Sequence, residues 1–286
     1  AIILLILLPL IWLQAQVNKK ASKYSTISGK FRTQSYKLGK WKWPLFVLML
    51  LFIIVLTVVP IVCLLIGTFM TLFGHFSIND PWTLNHWIRV LTKPAILDGI
   101  KNTLVISVLS AVFSVLIFSV IAYVIVRTRF RGRQVMDFVV WLPSAIPGIV
   151  ISLGILWFVL GTPILRPFYG TIGIMVLAVL ISGITTGVQV LKSNLIQIGN
   201  ELEEASWSSG ASWLYTFRKV VLPIIAPSLA VVAVLGFTLG ARATSQVVLL
   251  DTQGNRPLAL MQLTLLTQGS YEEASVIGVI ILLLTL

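Results

Sequence analysis

Thr103 to Val126 reads TLVISVLSAVFSVLIFSVIAYVIV, twenty-four residues without a charge. A helix rises 1.5 Å per residue, so this block measures roughly 36 Å, enough to cross a hydrocarbon core of about 30 Å. Comparable blocks run from Pro44 to Leu72, Met136 to Leu160, Thr171 to Leu191 and Ala226 to Leu250, with thirteen-residue blocks at Ala1–Leu13 and Ala274–Leu286. The composition agrees: 57% apolar residues, 10% charged residues and a mean hydropathy of +0.99 leave too little polar surface for a water-soluble fold. The expected fold class is all-α, a polytopic bundle of about six transmembrane helices. The two short blocks fall about a third below the length of a crossing. No Met or basic n-region precedes the first, so a helix cut from a longer chain is expected there rather than a signal peptide.

The net charge of +12 is distributed by topology and does not call for nucleic acid. Eight basic residues lie between Lys19 and Lys42; Arg127, Arg129, Arg131 and Arg133 follow the second full span, and Lys192, Arg218 and Lys219 follow the fourth. If the spans alternate, all of these share one face, which the positive-inside rule makes cytoplasmic. Cys63 is the only cysteine and lies in an apolar block, which excludes a disulfide framework. His75 and His86 lie in or near an outer loop without acids at ligand spacing, and a surface position is expected for both. No catalytic residue, metal site or cofactor is expected.

Residues 14–43 are basic and Ser/Thr/Lys-rich and read as a cytoplasmic linker, with Trp41 and Trp43 as interfacial anchors. In the outer loop, Trp87, Ile88, Val90 and Leu91 form an amphipathic stretch suited to a short surface helix. The longest later inner loop, residues 192–223, is too polar to span. Asn200 is placed to cap a helix with Glu203 three residues on, Gly210 interrupts, and Ser212 is placed to cap a second helix. Trp213, Leu214, Phe217 and Val221 make an apolar stripe on that second helix, and Pro223 is expected to stop it. An apolar knob of this kind on the cytoplasmic side calls for a partner; an amphipathic helix on lipid explains the stripe but not the acids ahead of Gly210.

At these residues the chain resembles the membrane subunits of binding-protein-dependent importers. Their hallmark is Glu-Ala-Ala, three residues, Gly, nine residues and Ile-x-Leu-Pro. Here it reads Glu204-Ala205-Ser206, Gly210 and Val220-Val221-Leu222-Pro223, with Ser206 and Val220 as the departures. The resemblance implies the type I permease fold of ABC importers in a bacterial inner (plasma) membrane, crossed several times. It implies a coupling helix docked on a dimer of ATPase subunits at the cytoplasmic face, in which Glu204, Ala205, Gly210, Trp213, Leu214, Phe217, Leu222 and Pro223 take part. Glu204 would be a polar lock and Gly210 the turn. Further implied partners are a periplasmic substrate-binding protein, a second permease half in the same or another chain, and membrane lipid.

A narrower resemblance is to the ferric-iron, thiamine and phosphonate permeases, in which two halves are often fused. It rests on Thr26-Ile27-Ser28-Gly29-Lys30 through Trp41-Lys42-Trp43-Pro44, on Asn102-Thr103 and on Leu142-Pro143-Ser144-Ala145-Ile146-Pro147-Gly148. It implies that residues 1–13 end a first half and that residues 44–286 form the second. Iron(III) is the expected cargo, with thiamine, phosphonate or polyamine behind it. Iron permeases tend to carry Arg-Glu-Leu where this chain has Arg242-Ala243-Thr244. A charge inside a span is costly unless paired or wetted, so Arg242 is expected to line the translocation path, with backbone carbonyls or Asp251 as partners; the rival reading is that it snorkels to an interface. Pro143, Pro147 and Gly148 interrupt another span and are either a gate or a fixed kink.

The chain has no Gly-x-x-x-x-Gly-Lys-Ser/Thr loop, so energy is expected from a separate subunit. An intramembrane enzyme would need a nucleophile with its base or paired acids at depth, and an ion-coupled transporter would need acidic or unwound segments near the midplane. Neither pattern is present in the sequence.

Overall fold

The computed structural model describes residues 38–286 apart from Phe130 and Asn200. The expected helix at residues 1–13, most of the linker and the Asn200 cap lie outside these described residues. The chain divides into two compact units with the boundary between Leu84 and Asn85.

The first unit is built on α1, Gly39–Phe69. Residues 39–43 of the expected linker already belong to this helix. Trp41 and Trp43 are exposed near its start, with Lys42 Nζ 5.7 Å from the Trp43 ring. Its ladder widens to a π-helical segment at Ile54–Val58, just ahead of Pro60. Proline removes an N–H and crowds the preceding turn; a wider turn absorbs both without ending the helix.

The second unit contains α2 Asn85–Thr92, α3 Pro94–Arg127, α4 Arg133–Trp141, α5 Gly148–Gly161, α6 Ile172–Gln197, α7 Glu201–Ser208, α8 Trp213–Ile224, α9 Ala226–Ala241, α10 Leu258–Thr267 and α11 Tyr271–Thr285. Among the described residues three helices, α1, α3 and α6, are long and apolar enough to cross a membrane. The number rises to five if the bent pairs α4–α5 and α8–α9 each count as one span. Among the described residues the one extended pairing is a single bridge between Met70 and Trp82.

Helix α3 is the axis of this unit, packed along its length by α6 and α9. The contact with α9 is backbone on backbone. A Cβ added to Gly240 would lie 2.7 Å from Ser107 Cα, and one on Gly236 would lie 3.0 Å from the Ser110 carbonyl oxygen. Small residues four apart let membrane helices approach this closely where lipid supplies no hydrophobic drive between them. On α6, a Cβ at Gly187 would enter the Phe118 ring of α3.

The expected helix Ala226–Leu250 ends early, at Ala241. Residues 242–257 fold as an irregular loop whose polar backbone is met by side chains. Asn102 donates to the carbonyls of Gly254 and Arg256, Thr103 Oγ1 accepts from Leu258 N, and Ser152 Oγ accepts from Leu249 N. Asn255 accepts from Thr252 N and donates to Leu250 O. Such backbone persists near lipid only when protein satisfies it.

The stretch Met136–Leu160, expected to be interrupted at Pro143, Pro147 and Gly148, is bent by 111° between Arg133–Ala145 and Gly148–Gly161. Thr185 donates to the Val140 carbonyl and Ser144 to that of Trp141, so the break is provided with partners. Lys192 and Asp137, 2.6 Å apart, tie α6 to α4.

The expected short helix forms as α2, and most of its residues are exposed. Val90 is fully buried with Ile96, Leu258 and Ile277, and His86, expected at the surface, is buried. The amphipathic stripe is divided: Val90 and the half-buried Trp87 face protein, whereas Ile88 and Leu91 are exposed.

The Gly240 contact is tested by thermal unfolding of the detergent-purified full-length protein. Gly240→Ala is expected to destabilise by about 1–3 kcal/mol through overpacking. Gly154→Ala, where a Cβ meets nothing within 4 Å, is expected to be neutral or slightly stabilising.

Candidate functional site

The inner loop between α6 and α9 folds as a hairpin of two short helices. Helix α7 begins with Glu201, Glu203 and Glu204, all favourable at the positive end of a helix. Its end follows from Gly210, which has φ +82°. Gly210 N donates to Trp207 O and Ala211 N to Ser206 O, the paired bonds that close a helix through a left-handed residue. Ser212 then caps α8, its Oγ accepting from Tyr215 N at 3.4 Å.

Ser206, one of the two departures from the family hallmark, has a local use. Its hydroxyl lies 2.9 Å from that of Thr216 and joins the two arms of the hairpin. Pro223 does not stop α8 as expected. The helix widens to a π segment at Phe217–Val221, passes Pro223 and breaks at Ile225, where it bends 78° into α9. This is the device that carries α1 past Pro60.

The expected stripe on α8 is divided between two environments. Phe217 and Val221 are buried with Tyr123 and Val188, whereas Trp213, Leu214 and Tyr215 are exposed. Trp213 stacks on Phe217 at 5.5 Å with rings 7° apart. Glu204 and Ala205 are exposed on α7, as are Leu202 and Trp207; Leu222 is half-buried and Pro223 exposed. The hairpin therefore presents acids and large apolar groups outward together.

The buried carboxylate is that of Glu203, not Glu204. Its Oε1 is 2.9 Å from Arg127 Nε, and its Oε2 accepts from Tyr123 Oη at 2.9 Å. Arg127 Nη2 also donates to Ile198 O at 2.7 Å. Glu203 was expected as the partner of the Asn200 cap; its carboxylate faces α3 instead. The paired signal in the sequence is one basic residue closing the uncharged block Thr103–Val126 and an acid run in a later polar loop.

The second group of residues lies toward the N-terminal half of α3, away from the hairpin. Gly148 opens α5 against the 242–257 loop: a Cβ there would lie 2.5 Å from Ser245 Oγ and 3.2 Å from Gln246 Cγ. Pro143 sits in the 3-10 turn before the break and Pro147 is the residue ahead of α5. Arg242 follows the last residue of α9. It is exposed, and its Nη2 donates to Thr285 Oγ1 on α11 at 3.1 Å. Asp251, the carboxylate expected beside it, is paired with Arg256. Gly240 rests on Ser107, so Arg242 is level with the first turn of the uncharged block of α3. The long reach to an interface expected from a straight helix does not arise. Among the described residues no cluster of three His, Cys, Asp or Glu is placed to hold a metal ion.

Residues 116–286 match the family described as the binding-protein-dependent transport system inner membrane component. A probable sulfate transport system permease protein of Nephroselmis olivacea is 28% identical over 270 residues, 89% of this chain and 88% of the relative. The sulfate transport system permease protein of Salmonella typhimurium is 31% identical over 207 residues, 68% of this chain and 74% of the relative. The ferric transport system permease protein of Actinobacillus pleuropneumoniae is 27% identical over 220 residues, 73% of this chain but 31% of that longer protein. In fold, the chain is similar to a bacterial ABC transporter involved in alginate import, with a TM-score of 0.68 over 85% of this chain and 92% of that one at 19% identity. The hairpin with its hallmark spacing, the all-helical bundle around α3 and these matches agree: the chain belongs to the inner-membrane components of binding-protein-dependent ABC importers, the permease subunits of such systems.

Proposed function

We propose that residues 201–224 are the docking segment for a dimer of ATPase subunits on the cytoplasmic face of a bacterial plasma membrane. In this reading the chain passes a substrate handed over by a periplasmic binding protein and hydrolyses nothing itself. The observation that carries the reading is the hairpin: Trp213, Leu214 and Tyr215 are exposed beside Glu201 and Glu204 on a segment rigidly closed at Gly210. Large apolar groups held out on a fixed scaffold suit a protein groove. Closure of the ATPases would push on this segment and switch the bundle between outward- and inward-open states. Residues 1–13 would end a first permease half, residues 14–43 would link the halves and residues 44–286 would form the second.

The path in this proposal runs past Arg242 and the Pro143–Gly148 break. Arg242 offers an exposed cation held by a neutral hydroxyl, an arrangement that attracts anions. That favours a small oxyanion such as sulfate, in line with the sulfate permeases among the relatives. The expected cargo, iron(III), stands as the second reading, favoured by the ferric transport relative. A fixed positive charge on the path repels a bare trivalent cation, which is the physical reason for the order of the two.

Two measurements test these readings in cells carrying the full-length gene with its own ATPase and binding protein. Gly210→Asp is expected to abolish uptake while the protein stays folded and inserted. A Cβ there meets nothing within 4 Å, and the damage is confined to the left-handed turn and the outward face. Normal uptake would sink the docking assignment. Labelled sulfate is expected to accumulate in the wild type, with Arg242→Gln at least tenfold slower and Arg242→Lys partly active. Accumulation of labelled iron(III) without sulfate would move the cargo to the second reading.

A further inference from the structure

The hairpin is fastened to α3 by two kinds of contact, and both converge on Tyr123. From α7, Glu203 accepts the Tyr123 hydroxyl proton on one oxygen and pairs with Arg127 on the other. From α8, Phe217 and Trp213 meet the edge or face of the Tyr123 ring at 5.0 and 5.8 Å. The aromatic contacts hold the arm near α3 but tolerate sliding. The ion pair is more demanding: the side chains of Arg127 and Glu203 are 9% and 6% exposed, one Glu203 oxygen lies 2.9 Å from Arg127 Nε and the other accepts from Tyr123 Oη. A buried ion pair is weak evidence for stability, since its desolvation offsets its attraction. Its best-attested use is to fix register.

We infer that Glu203, with Arg127 and Tyr123, is the positioning group that locks the docking hairpin to the inner end of α3, so that hairpin and helix move as one body. Helix α3 then carries the displacement outward. Its backbone touches that of α9 at Ser107 and Gly240, twenty residues from Arg127 and roughly 30 Å away along the helix. The receiving end is two residues from Arg242. In this arrangement Glu204, exposed beside Glu203, is free for the partner, while Glu203 works within the chain. The inference rests on the docking reading above.

The test uses proteoliposomes holding the full-length permease with its ATPase, and reads ATP hydrolysis with and without the cognate binding protein as purified from cells. Stimulation by the binding protein reports coupling whichever ion is carried. Glu203→Ala and Arg127→Met are expected to co-purify with the ATPase and to lose at least fivefold of the stimulation. The reversed pair, Arg127→Glu with Glu203→Arg, is expected to regain at least half. Stimulation of wild-type size in the single variants, or no recovery in the reversed pair, overturns the inference. If the single variants fail to assemble, Tyr123→Phe decides, since it removes one hydroxyl and keeps the ring. A loss of twofold or more at an unchanged melting temperature supports the lock, and wild-type stimulation overturns it. Gly210→Asp in the same series separates the two claims. If it is stimulated normally, the docking reading fails; if it is silent while the Glu203 variants match the wild type, only the lock fails.

Discussion

Lipid offers no hydrogen bonds, and the rest of this structure follows from how the chain meets that constraint. Where the backbone is helical it satisfies itself. Where it is not, side chains from neighbouring helices meet several of its polar groups: Thr185 at the break before α5, and Asn102, Thr103 and Ser152 around the 242–257 loop. These polar residues lie in otherwise apolar helices because irregular backbone elsewhere needs them. The irregular segments in turn place Gly148 against Ser245 and set Arg242 at the end of α9. A pair of straight spans would hold neither arrangement.

A second consequence concerns how force can travel. In a membrane bundle the packing of apolar side chains against one another competes with equally apolar lipid, so specific geometry comes from close backbone approach and from polar contacts. Helix α3 has both. Its N-terminal half lies against α9 at Ser107, Ser110 and Gly236, and its C-terminal end is held by Arg127 and Tyr123 to the α7–α8 hairpin. The hairpin is itself stiff, closed at Gly210 and cross-linked by the hydroxyls of Ser206 and Thr216. Rigid parts joined at defined points are what a two-state switch requires.

Much of this was legible in the sequence because composition and length respond directly to the bilayer. Uncharged blocks located α1, α3 and α6, and turn chemistry located Gly210 and the Ser212 cap, where the residue types have local causes. The errors share one origin. Hydropathy counts apolar residues without knowing whether the backbone stays helical, so the loop after Ala241 was read as helix, and Pro143, Pro147 and Gly148 marked an interruption without giving its 111° bend. Pro223 shows the converse, since a π turn carries the helix past a residue expected to end it. The Glu203 lock escaped because it joins residues 76 apart in sequence, and local spacing offered Glu203 a capping role instead. Adjacent acids do not announce which one faces inward; that depends on the angle at which α7 meets α3.

The central claim is that the exposed face of α8 meets an ATPase subunit, and site-directed cross-linking addresses it most directly. Cys63 is the only cysteine in these 286 residues, so a background with Cys63→Ser and any other cysteine of the full-length permease replaced allows single cysteines at Leu214 and Tyr215, expressed with its ATPase. A short bifunctional thiol reagent is expected to join both positions to an ATPase carrying cysteines around its membrane-facing groove, and ATP is expected to change the yield. Failure of both positions to form that adduct in an assembled complex would contradict the account.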